Sequence, residues 1–202
     1  MGTYERARMQ TKMKICKAFW GLYQENSIDK ITVKDITNVC GIHRATFYLH
    51  FTDVYDVLEQ IQNMLLDEVR QICETEEESE SAFDREGLTH RLYFHYLKRW
   101  EYLHYMLGMQ RLPEFYAAYR QILVDEICRI SGITLEELPE KERKVVQVAL
   151  YSMAEVFMIC ADEDSFTFDD TVNLLSGFSH RGINDILNRK YGIQLCLDMT
   201  KE

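Results

Sequence analysis

The sequence predicts an all-α protein, and three observations support this. Apolar residues recur with the helical period of about 3.6 residues in one segment after another. No segment shows the apolar–polar alternation that is typical of a strand. The 202 residues include two prolines and nine glycines, with 47 % apolar and 28 % charged residues. That composition belongs to a folded helical chain and argues against a disordered one.

The first helix is predicted over residues 12–26. One side of it is apolar and consists of Ile15, Ala18, Phe19, Leu22 and Tyr23. The other side carries Lys14 and Lys17. We therefore expect the apolar side to pack against neighbouring helices while the lysines face solvent.

Two short helices separated by a glycine are predicted next. Thr32 is a good N-cap, and Asp35 can bond back to it as in a capping box. The apolar face of this second helix consists of Val33, Ile36, Val39 and Cys40. Gly41 supplies the tight turn, because a positive φ costs glycine nothing. His43 is expected to cap a third helix that runs through Phe51.

Five longer helices are predicted after these. The fourth begins at Thr52 or Asp53, and its inward positions are Val54, Val57, Leu58, Ile61 and Leu65. The acidic stretch Glu74 to Glu80 reads as a solvated break. Further helices are expected over 84–108, 112–131, 139–161 and 168–190. Pro113 and Pro139 lie near two of the starts, where proline is tolerated.

The segment 31–51 has the pattern of a helix-turn-helix, whose second helix can lie in the major groove of DNA. Arg44 has a fork that can pair with guanine, and Ala45 is small enough to let the backbone approach the groove. Thr46 can bond a phosphate or touch a thymine methyl, while Tyr48 and His50 can donate to phosphates. The predicted DNA-contacting residues are Thr32, Lys34, Thr37, His43, Arg44, Ala45, Thr46, Tyr48 and His50. For Thr32 and His43, a capping role alone is the alternative.

The charge distribution also fits nucleic-acid binding, although the net charge is −10. Residues 1–52 contain eight Lys or Arg and four Asp or Glu, which makes this part +4. The remaining 150 residues contain 15 and 29, which makes them −14. A basic head on an acidic body is expected when one end of the chain faces phosphates, although chance surface variation is the alternative.

The run Ile31-Thr32-Val33-x-Asp35-Ile36, followed by Gly41-Ile42-x-Arg44-x-Thr46-Phe47-Tyr48-x-His50-Phe51, resembles the DNA-binding domain of the TetR/AcrR family of bacterial regulators. The resemblance runs from the first helix through Leu58, and the rest of the chain matches only in being helical. It implies a dimeric repressor that is released from a palindromic operator by a small ligand. Members often carry a phosphate-contacting Lys where this chain has Val54. The backbone N–H groups of Asp53 to Tyr55 are then the remaining phosphate donors at that helix start.

The body of the chain carries a dense cluster of aromatic residues. Such side chains line ligand pockets and also build ordinary cores, so both interpretations stay open. The candidate pocket residues, for a small apolar or aromatic effector, are Tyr93, Tyr96, Trp100, Tyr105, Phe115 and Tyr119. His90, His95 and His104 are spaced so that they cannot share one helix face, which argues against a metal site built from them. No metal and no cofactor is expected.

Two domains are expected: a DNA-binding helix-turn-helix domain over 1–52, and a helical ligand-binding and dimerisation domain over 53–202. A homodimer is predicted through the last two helices. Their candidate interface positions are Val145, Val148, Ala149, Ser152, Met153, Val156 and Phe157, with Leu175, Ser176, Ser179, Gly182, Ile183 and Ile186. The fourth helix is expected to couple the two domains, because its Val54–Leu58 end should abut the helix-turn-helix while its Leu65–Ile72 end can reach the aromatic cluster of the body.

Several classes of protein are disfavoured. The longest apolar stretch, Val145 to Ala161, is interrupted by Gln147, Ser152 and Glu155, so no membrane span is expected. No secretory signal is expected, because the N-terminal residues lack an apolar segment, and six scattered cysteines suggest reduced thiols in a cytoplasm. No glycine-rich phosphate loop, GxSxG or HExxH points to an enzyme. The alternatives are a helical adaptor or co-regulator that acts through a protein partner, and a small helical enzyme with a buried aromatic site.

Overall fold

The computed structural model describes residues 2–74, 85–109, 112–162, 165–178, 188–189 and 192, and these residues form helices and connecting turns without strands. The helices are α1 (Thr3–Glu25), α2 (Val33–Cys40), α3 (Arg44–Tyr48), α4 (Val54–Glu74), α5 (Arg85–Lys98), α6 (Trp100–Leu103), α7 (Pro113–Ser131), α8 (Glu140–Asp162) and α9 (Phe168–Phe178). A π-helix over His104–Met109 continues α6, and short 3₁₀ turns lie at Ile28–Lys30 and Leu135–Glu137. The predicted all-α class is confirmed.

The chain divides into two compact units, Met1–Leu65 and Leu66–Glu202. The division falls inside α4, whereas the boundary expected from the sequence lies just before that helix. The first unit comprises α1, α2, α3 and the first half of α4. The second unit comprises the remainder of α4 and the helices that follow it.

The first unit is held together by large apolar side chains from each of its helices. Phe19 and Trp20 of α1, Ile36 of α2, Phe47 of α3 and Ile61 of α4 are almost completely buried. Burial of one such side chain contributes roughly 1.5–3 kcal/mol. The predicted stripe of α1 is largely confirmed, since Ile15, Ala18, Phe19 and Tyr23 are buried and Leu22 is half-buried.

Three helix bounds differ from expectation. α1 begins at Thr3, nine residues before the expected start, and the chain continues the helix through charged residues without an apolar stripe. α3 ends at Tyr48 and is followed by a turn, so it does not run to Phe51 as one helix. The helix expected over 84–108 is interrupted at Arg99, whose φ of −107° and ψ of 14° are not helical.

One predicted core position is wrong. Val39 was expected on the inward face of α2 but is 61 % exposed, while Ile36 and Cys40 of the same helix are buried. α2 is only eight residues long, and its inward face consists of Ile36, Thr37 and Cys40. Val39 lies beside Cys40 on the outer surface of the helix.

The second unit is built on α8, whose residues include Val146, Leu150, Met153, Phe157 and Ala161 in the core. α8 is long and apolar enough, by length and composition, to cross a membrane. Half of its apolar window is buried inside the structure. A helix in the core of a soluble protein can be equally long and apolar, so this observation is weak support for a membrane span.

Candidate nucleic-acid interface

The start of α2 is fixed by a capping box. The backbone N–H of Thr32 donates to Asp35 Oδ2 at 3.0 Å, and the backbone N–H of Asp35 donates to Thr32 Oγ1 at 3.3 Å. The Thr32 hydroxyl also donates to Asp35 Oδ2 at 2.5 Å. These bonds from Thr32 hold the pKa of the Asp35 carboxyl below its usual value. Thr32 is exposed, but its hydroxyl is already hydrogen-bonded to Asp35 at the start of α2.

The turn after α2 depends on Gly41. This residue has φ 62° and ψ 42°, the left-handed conformation that favours glycine. Its N–H donates to the carbonyl of Asn38 at 3.2 Å, and the N–H of Ile42 donates to that of Thr37 at 3.1 Å. Three residues, Gly41 to His43, thereby connect α2 to α3, which is the turn length of a helix-turn-helix.

α3 is short and is anchored by aromatic rings. Phe47 is fully buried, and its ring centre lies 5.7 Å from that of Phe51, which is also buried. Tyr48 packs its ring edge-on against Phe47 at 5.5 Å and is nevertheless 57 % exposed. The helix is therefore held from one side while the other side faces solvent.

The solvent side of α3 contains most of the predicted DNA-contacting residues. His43, Arg44, Ala45 and Tyr48 are exposed, and Thr46 and His50 are half-buried. His43 occupies the N-cap position of α3, but its side chain makes no capping hydrogen bond. The expected N-cap position of His43 is therefore confirmed, while its side chain is exposed and does not cap the helix.

The two candidates on α2 differ from each other. Lys34 is exposed. Thr37 is only 4 % exposed, and its hydroxyl donates to the backbone carbonyl of Lys34 at 3.1 Å. Because Thr37 lies on the inward face and its hydroxyl is already used, the expectation that it contacts DNA is withdrawn.

The structure adds residues of α1 that the sequence did not indicate. Tyr4, Arg8 and Thr11 line a surface depression of about 360 Å³ together with Leu49 and His50. Leu49 is exposed although it is large and apolar. The missed signal was the helix-forming composition of residues 3–11, which lacks the apolar stripe used to place the helix start.

His50 lies in a positively charged environment. Burial lowers its pKa, and the charges of Arg8 and Lys12 lower it further. Lys12 Nζ lies 5.8 Å from the centre of the Phe51 ring, within range of a cation–π contact. His50 is therefore a neutral hydrogen-bonding group beside basic side chains.

The start of α4 has Val54 where members of the resembled family often have a phosphate-contacting lysine, as the sequence indicated. Val54 is buried, so its side chain contributes to the core of the first unit. Asp53 Oδ1 accepts from the N–H of Asp56 at 2.9 Å, and Asp56 Oδ2 accepts from the N–H of Thr52 at 2.6 Å. Two carboxylates thus occupy this helix start, which makes it a poor place for a phosphate.

The aromatic candidates of the second unit lie mostly in its core. Tyr93, Tyr96, Tyr105, Phe115 and Tyr119 are buried, and Trp100 is half-buried. A cavity of about 70 Å³ is lined by Tyr96, Leu107, Gly108, Tyr116, Glu155, Met158, Ile159 and Asp162. The remaining five candidates do not line this cavity. Its volume is well below the roughly 300–1,000 Å³ of a typical ligand pocket.

Two polar clusters are built into the second unit. Asp162 Oδ1 accepts from the Tyr96 hydroxyl and from His104 Nδ1, the latter at 2.8 Å. Glu68 accepts from His95 Nε2 at 3.0 Å and from both nitrogens of the Arg99 fork. His90 instead packs its ring 4.4 Å from that of Phe94. Within the described ranges, no three His, Cys, Asp or Glu side chains are grouped to hold a metal.

A solved structure of similar fold is described as the TetR transcriptional regulator from Streptococcus agalactiae 2603V. The TM-score is 0.59, the identity is 23 %, and the match covers 85 % of this chain and 94 % of that one. No protein-family model matches the chain, and no curated protein matches it. The chain therefore has the all-α fold of a TetR transcriptional regulator.

Proposed function

We propose that this protein is a sequence-specific DNA-binding transcriptional regulator whose α3 enters the major groove. The observation that carries the proposal is the exposed row His43, Arg44, Ala45 and Tyr48 on a helix that buried phenylalanines anchor from behind. The positive charge of residues 1–52 supports it, because phosphate neutralisation supplies most non-specific affinity.

The side chains divide into two roles under this proposal. Arg44 reads a base edge, since its fork can pair with guanine O6 and N7. Lys34, Tyr48 and His50 bind phosphates and set the register of α3 on the duplex. Arg8 adds a further phosphate contact from α1, because it lies beside His50 at the same surface.

The regulator acts as a homodimer on a palindromic operator. Of the interface positions expected on α8, Ala149, Met153 and Phe157 are buried in the chain's own core. Val148 is 65 % exposed and Ile159 is 51 % exposed, with Ser152 and Glu155 between them on the same face. This outer row of α8 is our proposed dimer surface. Ser179, Gly182, Ile183 and Ile186 lie outside the described residues, as does the Ser176 side chain.

Effector control is the finer part of the proposal. α4 passes through the division between the two units, and in the second unit Glu68 joins it to Arg99 and His95. A ligand that favours one position of α4 changes DNA affinity only by its differential affinity, typically about 1–3 kcal/mol. Binding of a drug-sized effector at the Tyr96 cavity would require the surrounding side chains to move, because 70 Å³ holds only a small group.

Selection from random DNA duplexes tests the DNA-binding proposal, and fluorescence anisotropy at fixed salt then measures affinity for the selected site. We expect a palindromic consensus. Arg44→Ala should cost roughly 1–3 kcal/mol and relax specificity at one base pair of each half-site. Lys30→Ala is the matched control, because Lys30 is exposed in the same unit but lies outside the helix-turn-helix.

The competing adaptor hypothesis predicts a different result. A folded dimer that enriches no sequence, and whose weak DNA binding Arg44→Ala leaves unchanged, would contradict the proposal and favour the adaptor.

A further inference from the structure

An apolar groove of about 400 Å³ lies between α1 and α2 in the first unit. The residues that line it are Lys14, Lys17, Ala18, Gly21, Leu22, Val39 and Cys40. None of the residues proposed above to contact DNA lines this groove. It is therefore a separate surface feature of the same unit.

The α1 side of the groove has the geometry of a helix-docking face. Lys14, Lys17, Ala18, Gly21 and Leu22 are spaced i, i+3, i+4, i+7 and i+8, so they form one stripe two turns long. Small residues at the centre of such a stripe let a second helix approach closely. Gly21 is exposed, and a Cβ added there would meet no atom within 4 Å, so the space above it is open.

The α2 side supplies an exposed apolar wall. Val39 is 61 % exposed, although its neighbour Cys40 is buried and donates its thiol to the Lys14 carbonyl at 3.4 Å. Covering Val39 and the Leu22 side chain would remove apolar surface from water, which is the main driving force of association.

Charge decides which kind of helix fits. Lys14 and Lys17 are exposed on the rim, and no carboxylate lines the groove. Burial raises the pKa of the Cys40 thiol, so this side chain adds no negative charge. The rim is therefore cationic and the floor apolar. We infer that this groove binds an acidic amphipathic helix of a partner protein, with apolar residues at i, i+3, i+4 and i+7 and carboxylates beside them.

The test uses the full chain and a fluorescent, helix-stapled peptide with leucines at those four positions and glutamates elsewhere. A second peptide carries lysine in place of every glutamate. Anisotropy should show saturable binding of the acidic peptide, and the amide signals of Gly21 and Val39 should shift on its addition. The basic peptide should not bind, because it meets the two lysines with like charge.

Two variants test the site itself. Gly21→Leu fills the groove from a position where the new side chain has room, and leucine is a better helix former than glycine. It should abolish peptide binding. Lys14→Glu combined with Lys17→Glu should weaken it at least about tenfold. Lys30→Glu is the control for a charge reversal outside the groove and should leave peptide affinity unchanged.

DNA affinity of the same variants separates this inference from the proposed function. Gly21→Leu should keep the affinity of the wild type for the selected duplex. Absence of acidic-peptide binding to the wild type, or equal peptide binding by wild type and Gly21→Leu, overturns the inference. It is also overturned if the double lysine variant loses DNA affinity as strongly as peptide affinity, since the lysines then bind phosphates.

Discussion

At the scale of single residues, exposure and local hydrogen bonds decide which polar side chains can act on a partner. Thr37 and Lys34 lie three residues apart on α2, yet the first is buried and bonded to the backbone while the second is exposed. Residue type alone could not separate them, because threonine and lysine both suit phosphate contacts. What separates them is which face of an eight-residue helix turns inward, and that depends on the helices packed against it.

Tyr48→Phe tests the role of a single hydroxyl. The ring contact with Phe47 is kept, so folding should be unaffected. We expect DNA affinity to fall by about 1–2 kcal/mol for all sequences alike, because the lost group donates to a phosphate. Anisotropy titrations on the selected site and on an unrelated duplex check this.

The matched variant is Lys34→Ala. It should reduce the slope of log K against log salt by about one, whereas Tyr48→Phe should leave that slope unchanged because the hydroxyl is neutral. A change of base preference in the Tyr48 variant would show that this residue reads sequence.

The cysteines give a second prediction at this scale. Burial raises the pKa of Cys16 to about 11, of Cys128 to about 11 and of Cys73 to about 12, and it also raises those of Cys40 and Cys160. The thiolate is the reactive form, so these five thiols should react slowly at neutral pH. Titration with a thiol reagent before and after unfolding checks this in Cys196→Ser. Fast reaction of any thiol in the folded protein would contradict the prediction.

At the scale of elements, the sequence predicted where the helices lie but not the residues at which they begin and end. The stripe of α1 located the helix because its packed half has an apolar face, but residues 3–11 pack against little and carry no such pattern. The predicted helix over 84–108 is interrupted at Arg99, whose backbone is not helical. The Arg99 side chain forms a forked ion pair with Glu68 on α4, a long-range partner that local periodicity does not contain.

Glu68→Gln should destabilise the second unit by about 1–3 kcal/mol, because it leaves the partly buried Arg99 without its charged acceptor. Urea denaturation followed by circular dichroism checks this. Asp67→Asn is the control, since the neighbouring Asp67–Arg70 pair at 2.8 Å is exposed and should contribute less than about 1 kcal/mol. Equal effects of both substitutions on the free energy of unfolding would show that the Glu68 cluster stabilises the protein no more than an exposed ion pair does.

The same cluster predicts a pH dependence. Burial lowers the pKa of His95 below its usual 6.5, although Glu68 opposes the shift. Burial raises the pKa of Glu68, but bonds from Arg99 and His95 outweigh it and hold the value below the usual 4.5. As the pH falls, the unfolded chain therefore binds a proton at His95 and at Glu68 at a higher pH than the folded protein does. Stability should decrease as the pH falls from about 7, beginning near the usual histidine value, and should continue to decrease below the usual glutamate value of 4.5.

His95→Gln separates the two contributions. Glutamine can still donate to Glu68 but does not titrate, so the decrease above about pH 5.5 should disappear while the lower part remains. An unchanged pH profile in this variant would assign the upper part to another group.

At the scale of the whole molecule, the fold class followed from composition and periodicity, while the use of each surface did not. Seven positions on α8 looked suitable for an interface, because a helix apolar on several sides can serve either a core or a partner. Packing resolves this ambiguity: Ala149, Met153 and Phe157 face inward, and Val148 and Ile159 face outward. The aromatic residues predicted to line a pocket were ambiguous in the same way, because such side chains also build cores, and most of them are buried.

Val148→Arg should convert the proposed dimer into a monomer, since a charge would have to be buried without a partner. Sedimentation at micromolar concentration measures this. Lys141→Glu, on the exposed first turn of the same helix, should leave the mass unchanged. A wild-type protein that sediments as a monomer would contradict the proposed dimer.

The chain has two tryptophans, and they fall on opposite sides of the division at Leu65. Trp20 is buried in the first unit, while Trp100 is half-buried in the second and stacks on the His104 ring at 4.3 Å. Their emission should therefore differ in wavelength and in quenching. With Trp100→Phe the fluorescence reports only on the first unit, and with Trp20→Phe only on the second. The protein thus carries its own pair of optical probes, one for the part proposed to meet DNA and one for the part proposed to sense a ligand.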